Sequence, residues 1–142
     1  ADCSPQWLAS LPPVGIVPMR VEIGGQEYTY GPDGTISAQR FYDLQKEGNY
    51  ASTSQITPIQ YFQSFEPVLR AGNDILYLCF SSGMSGTFQS AQVCAEELRE
   101  EYPERNIICL DTRCASVGEG FLVCEAARRQ AEGYTWMNWP DG

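Results

Sequence analysis

The chain contains no histidine. Without an imidazole, no Ser-His-Asp triad can be assembled within it. Positive charge is also scarce: 9 Lys and Arg stand against 18 Asp and Glu, for a formal net charge of −9. Phosphate backbones are held by clustered Lys and Arg, so nucleic acid is not an expected partner. Arg128-Arg129 is the one adjacent basic pair, and a solvated helix face explains it. Long apolar runs are missing too. None approaches the roughly 20 residues of a spanning helix, so no membrane insertion is expected. The first residues do not read as a signal peptide. No two of the six cysteines, Cys3, Cys79, Cys94, Cys109, Cys114 and Cys124, have the Cys-x-x-Cys spacing of a zinc or redox site. No metal site is expected.

What is present suits a folded domain. At 142 residues the chain has one domain's length, and 43% hydrophobic with 19% charged residues argues for a globular core. Cys79 and Cys109 fall in apolar strand candidates, and Cys94 and Cys124 in helix candidates. They read as small buried hydrophobes in a reducing, cytoplasmic setting, with disulfides as the rival arrangement.

The chain is organised around Tyr77–Ala91. The uncharged apolar run Ile75 to Phe80 predicts a buried strand. Beyond Gly86, the residues Phe88, Ala91, Ala95, Leu98 and Tyr102 recur at steps of three and four, one apolar face of a helix. Between them lies a small-residue turn. A helix start offers unpartnered backbone N–H groups and the positive end of its dipole. Gly83 and Gly86 allow close approach, and Ser81, Ser82, Ser85 and Thr87 add hydroxyl donors. An anion site is one reading; simple capping by Ser85 or Gly86 is the other. On this stretch alone the two weigh equally. The turn is not a dinucleotide fingerprint, because Ser81 replaces the first Gly. It is not a P-loop, because Thr87 and not Lys follows Gly86. It departs from a nucleophile elbow by ending in Thr.

Upstream, Pro5 starts a short helix bearing Trp7, Leu8 and Leu11. Val14 to Ile23 reads as extended, Gly24-Gly25 as a hairpin turn, and Gln26 to Tyr30 as the returning strand. Ser37 caps a helix over Ala38 to Glu47, which Gly48 ends. Asn49 to Ile56 is polar and irregular. Thr57-Pro58 opens another helix, with a kink or break expected near Ser64–Glu66 because of Pro67. Asn106 to Leu110 is a second apolar strand, and Asp111 to Ser116 a turn at its carboxyl end. Val117, Phe121, Cys124 and Ala131 line a helix, and Thr135 caps a further one.

Four stretches in order resemble one known family. Ser81-Ser82-Gly83-Met84-Ser85-Gly86-Thr87-Phe88-Gln89-Ser90-Ala91 is similar to the signature of the bacterial DegV fatty-acid-binding proteins. Val17-Pro18-Met19-Arg20-Val21, Thr53-Ser54-Gln55 and Asp111-Thr112-Arg113-Cys114-Ala115-Ser116 resemble its second strand, its Thr-Ser-Gln motif and its third loop. Ile56 stands where the family often has Pro. Family members begin with an apolar strand running into Asp-Ser. Here Asp2-Cys3 has almost no chain before it, so the resemblance implies a missing first strand. It also implies that residues 1–142 are a truncated N-terminal domain whose C-terminal domain is absent.

Alternating strands and helices predict an α/β fold, a mainly parallel sheet flanked by helices on both faces, with the hairpin as an arm. Ligands of such folds gather outside the carboxyl ends of the strands. The resemblance implies a non-enzymatic lipid carrier with no cofactor. It would hold a long-chain fatty acid by its carboxylate and present it to a fatty-acid kinase partner. That role falls on Thr53 and Ser85, with Ser54, Ser82 and Gly86 as neighbours. Arg113 reads as a surface charge or a partner of Asp111. The rival readings are a phosphate- or nucleotide-binding enzyme domain using Ser81–Thr87, and an interaction module with no small ligand.

Overall fold

The computed structural model describes residues 5–12, 14–31 and 33–133. The expectations placed on Asp2-Cys3 and Thr135 lie outside them. The chain divides into two compact units, one of residues 16–56 and one joining the described part of residues 2–15 to residues 57 onward.

The first unit is built on a hairpin. Strands β1 (Met19–Ile23) and β2 (Gln26–Tyr30) pair antiparallel, with Met19 opposite Tyr30 and Ile23 opposite Gln26. Gly24 and Gly25 make the turn at φ of 62° and 74°, left-handed values that side chains resist. Helix α2 (Ala38–Lys46) starts at Ser37, whose hydroxyl accepts the Arg40 N–H at 3.1 Å. The stretch expected to be irregular contains a short strand, β3 (Ala51–Thr53). It pairs antiparallel with the free side of β1, giving the order β2-β1-β3. Val21 and Ile23 are buried while Arg20 and Glu22 are exposed, the alternation of a sheet with one solvated face. Ile23, Ile36 and Leu44 form the core, with Tyr28, Tyr30, Phe41 and Ala51 against it.

The second unit contains a parallel strand–helix–strand unit. Strand β4 (Ile75–Cys79) pairs parallel with β5 (Ile107–Asp111), from Ile75 opposite Ile107 to Cys79 opposite Asp111. Helix α4 (Thr87–Glu101) connects them and buries Ala91, Cys94, Ala95 and Leu98. Helix α3 (Pro58–Arg70) contacts α4 and β4, and α5 (Ser116–Ala131) contacts β4. A short helix, α1 (Pro5–Ala9), belongs to the same unit.

The α/β class and the hairpin itself therefore stand, though not as an arm of the parallel sheet. Parallel pairing, expected to dominate the sheet, is confined among the described residues to β4 and β5; the other three strands form an antiparallel sheet of their own. The physical reason is local. A two-residue turn can join only antiparallel neighbours, and β3 finds its backbone partners on that hairpin. No break occurs at Ser64–Glu66, and α3 runs unbroken to Arg70. Pro67 is exposed in its last turn, where its ring costs one backbone hydrogen bond and the freed carbonyl, on exposed Gln63, can meet water. The helix opens with a capping box, in which Thr57 Oγ1 accepts from the Gln60 N–H at 3.4 Å and Gln60 Oε1 accepts from the Thr57 N–H at 2.9 Å.

Among the described residues Cys79, Cys94, Cys109, Cys114 and Cys124 are all free thiols; Cys3 lies outside them. Cys79 is buried as expected, whereas Cys109 is only half-buried, because β5 has β4 as its one strand neighbour in the described sheet.

Candidate functional site

Two loops at the carboxyl ends of β4 and β5 are laced together. The Ser81 N–H donates to the Cys114 carbonyl at 3.0 Å. Thr112 closes back on β4, its N–H and hydroxyl both donating to the Cys79 carbonyl at 3.1 and 2.7 Å. Asp111 ties the loops from the end of β5. One carboxylate oxygen accepts the Ser82 N–H at 3.1 Å and the Arg113 N–H at 3.0 Å, and the other accepts the Ser82 hydroxyl. These bonds, the Ser82 hydroxyl first, hold the Asp111 carboxyl below the ordinary carboxylate range. Arg113 thus meets Asp111 through its backbone. It and Ser116 sit at φ of 52° and 53°, left-handed values uncommon for residues with a Cβ.

The 81–87 loop is a compact turn leading into α4. Met84 N–H donates to the Ser81 carbonyl at 3.1 Å, and Gly83 N–H to Ser81 Oγ at 3.3 Å. Gly86 is the N-cap residue. Ser85 Oγ accepts the Thr87 N–H at 3.2 Å, so it satisfies the first orphan donor of the helix from one position further out. Capping and ligand binding, set against each other by the sequence, are compatible here, because Ser85 also lines an open cleft of about 280 Å³ together with Ser82, Gly86, Phe88, Gln89 and Gln92. No described residue accepts from the backbone N–H of Phe88 or Gln89. The cleft therefore offers a hydroxyl, helix N–H groups and one aromatic wall, with no cation among the described residues of its lining. Such a surface can hold one oxyanion and abut something apolar.

Of the residues singled out from sequence, Ser82, Ser85 and Gly86 meet at this cleft. Thr53 and Ser54 belong to the other unit. Thr53 ends β3 opposite Val21, and the Ser54 N–H donates to the Arg20 carbonyl at 3.3 Å. Both side chains are exposed, and their hydroxyls have no hydrogen-bond partner among the described residues. Sequence reasoning did not pair Asp111 with Ser82, 29 residues away. It also passed over Gln89 and Gln92 as cleft residues, although their separation of three within α4 places them on one helix face. Among the described residues no cluster of His, Cys, Asp and Glu could hold a metal ion. No described helix is long and apolar enough to cross a membrane.

The fold and the cleft define a class first: an α/β domain with a hydroxyl-bearing turn at a helix N-terminus. The family follows from comparison. The model described as "Uncharacterised protein, DegV family" matches residues 1–137, and the chain belongs to that family. A DegV domain-containing protein of Clostridium perfringens is 38% identical over 121 residues, covering 81% of this chain and 42% of that protein. One from Lactococcus lactis is 34% identical, covering 94% of this chain and 46% of its own length. The chain thus spans about half the length of the curated relatives it matches. A solved stearic-acid-binding protein from Eubacterium ventriosum is similar at TM-score 0.79 and 25% identity, over 96% of this chain and 46% of that one. A fatty-acid-binding DegV family protein from Thermus thermophilus is similar at TM-score 0.76 and 28% identity, with the same coverage. The Streptococcus pneumoniae fatty acid kinase B3 protein loaded with linoleic acid shares the fold at TM-score 0.69 and 18% identity.

Proposed function

We propose that this chain binds the ionised carboxylate of a long-chain fatty acid and acts as a carrier, not an enzyme. The observation that carries the reading is the cleft at the start of α4, where Ser85 and Gly86 stand beside Phe88, in a chain similar to two fatty-acid-binding proteins. In this reading Thr53 and Ser85 hold the carboxylate, and Ser54, Ser82 and Gly86 are neighbours. A carboxylate has only acceptor oxygens, so hydroxyls and helix N–H groups suit it without a cation. The carrier works in the cytoplasm and presents its acid to a fatty-acid kinase subunit. The ligand itself is the one small molecule the reading requires, with no further cofactor.

A free phosphate or nucleotide is the rival occupant of the α4 N-terminus, and the absence of Lys after Gly86 counts against it. Denaturing the purified full-length protein and identifying released small molecules by mass spectrometry separates the two. A C16–C18 fatty acid is the expected finding. A nucleotide would replace this reading with the enzyme-domain one.

A further inference from the structure

Ser85 Oγ and Thr87 Oγ1 stand 2.6 Å apart, and the Thr87 N–H donates to the same Ser85 oxygen at 3.2 Å. Burial sets the direction of the hydroxyl pair. Thr87 is 8% exposed, the one polar residue in the described core, whereas Ser85 is half-buried and lines the cleft. A buried hydroxyl proton without an acceptor is costly. Among the described residues Ser85 Oγ is the one hydrogen-bond partner of the Thr87 hydroxyl. The Thr87 proton therefore goes to Ser85. A hydroxyl has two lone pairs and one proton. With the Thr87 N–H and O–H on its lone pairs, Ser85 has only its own proton left, and that proton is at the cleft.

Ser82, on the same cleft, is set the opposite way. Its N–H and its hydroxyl proton both go to Asp111. What remains is a pair of lone pairs beside a carboxylate, which repels an anion. Of the two cleft serines, Ser85 is the one with a proton to give.

We infer that Thr87 is a positioning residue that commits Ser85 to donate, and so selects a head group that can only accept: an ionised carboxylate over its protonated form. The inference rests on the fatty-acid reading above and assigns the origin of its selectivity. Two mechanisms act together. The Thr87 bonds fix the Ser85 rotamer before the ligand arrives, and accepting two protons polarises the Ser85 O–H into a stronger donor.

The test uses the full-length protein and palmitic acid labelled with 13C at its carboxyl. Thr87→Val keeps the shape and removes the hydroxyl. It should weaken acid binding about three- to tenfold by calorimetry, while Thr87→Ser restores it to within about twofold. The carboxyl 13C shift reports protonation of the bound acid, which a merely structural loss would not move. Its titration midpoint should lie higher in Thr87→Val than in wild type and Thr87→Ser. On a Ser85→Ala background, Thr87→Val should cause no further loss of affinity. Thr87→Ala, which also lacks the hydroxyl, serves if Thr87→Val does not fold. Equal affinity and equal titration of bound acid in wild type and the hydroxyl-less variant would overturn the inference and leave the fatty-acid reading intact. If wild type itself takes up no palmitic acid, the reading fails and the inference falls with it.

Discussion

Replacing Tyr77 by Phe tests what fixes β4, the strand that delivers the 81–87 loop. The hydroxyls of Tyr61 and Tyr77 are 2.7 Å apart. Tyr61 is fully buried at 0% exposure. Burial drives the pKa of both phenols well above the ordinary value, and the paired hydroxyls and the nearby Cys79 thiol bear on both as well. The rings also meet edge to face at 5.2 Å, with Phe65 at 5.5 Å from Tyr61 and 5.4 Å from Tyr77. Tyr77→Phe keeps those ring contacts and removes one partner of the hydroxyl pair. The buried Tyr61 hydroxyl then loses the partner it has at 2.7 Å. The lost bond and the under-satisfied hydroxyl together should cost about 1–2 kcal/mol. Removing both hydroxyls leaves nothing unsatisfied, so Tyr61→Phe/Tyr77→Phe should lie within about 0.5 kcal/mol of wild type. Urea unfolding followed by far-ultraviolet circular dichroism reads both, as a lower midpoint for the single variant at unchanged slope. A double variant that loses the sum of the two single losses would refute the reasoning, since independent costs mean that the hydroxyls are not each other's partner.

Other measurements follow from the site and the core. Thr53→Val and Ser85→Ala should each weaken fatty-acid binding about ten- to a hundredfold, the worth of one charge-assisted hydrogen bond of roughly 1.5–3 kcal/mol. Unchanged titration curves in both variants, with circular dichroism intact, would remove those residues from the site. Asp111 is held below the ordinary carboxylate range in the folded chain. Its contribution to stability is therefore present above that range and lost as pH falls through the lower, folded-state value. Urea midpoints should drop more steeply between about pH 5 and about pH 2 for wild type than for Asp111→Asn, and parallel curves would count against the Asp111 tie. Burial pushes the thiols of Cys94 and Cys109 up to about 11. Labelling at both should be slow at pH 8, and stability should decline as pH rises from about 9 to about 11, where the unfolded chain ionises first. Six free thiols are expected on denaturation without reductant, and a smaller number would point to disulfides.

Much of the fold was legible because its signals are local. Gly24-Gly25 between alternating residues can only be a hairpin turn, Ser37 and Thr57 announce helix starts, and the change of period after Gly86 marks strand, turn and helix. The hydroxyls of the 81–87 turn were legible for the same reason, since their placement follows from a strand end and a helix start a few residues apart. Chain-distant partners were not. Nothing in Ala51–Thr53 says that it pairs with β1, because a three-residue strand takes whichever edge its loop can reach. Pro67 looks like a break in sequence, and only its exposure in a last turn makes it tolerable. The two serines of the cleft carry the same hydroxyl. Tertiary structure tells them apart, because folding sets the Asp111 carboxylate, 29 residues away, against Ser82, while Ser85 pairs with the buried Thr87 hydroxyl two residues on. A sequence names the donors and acceptors; which proton remains free is decided by the groups that burial forces to find a partner.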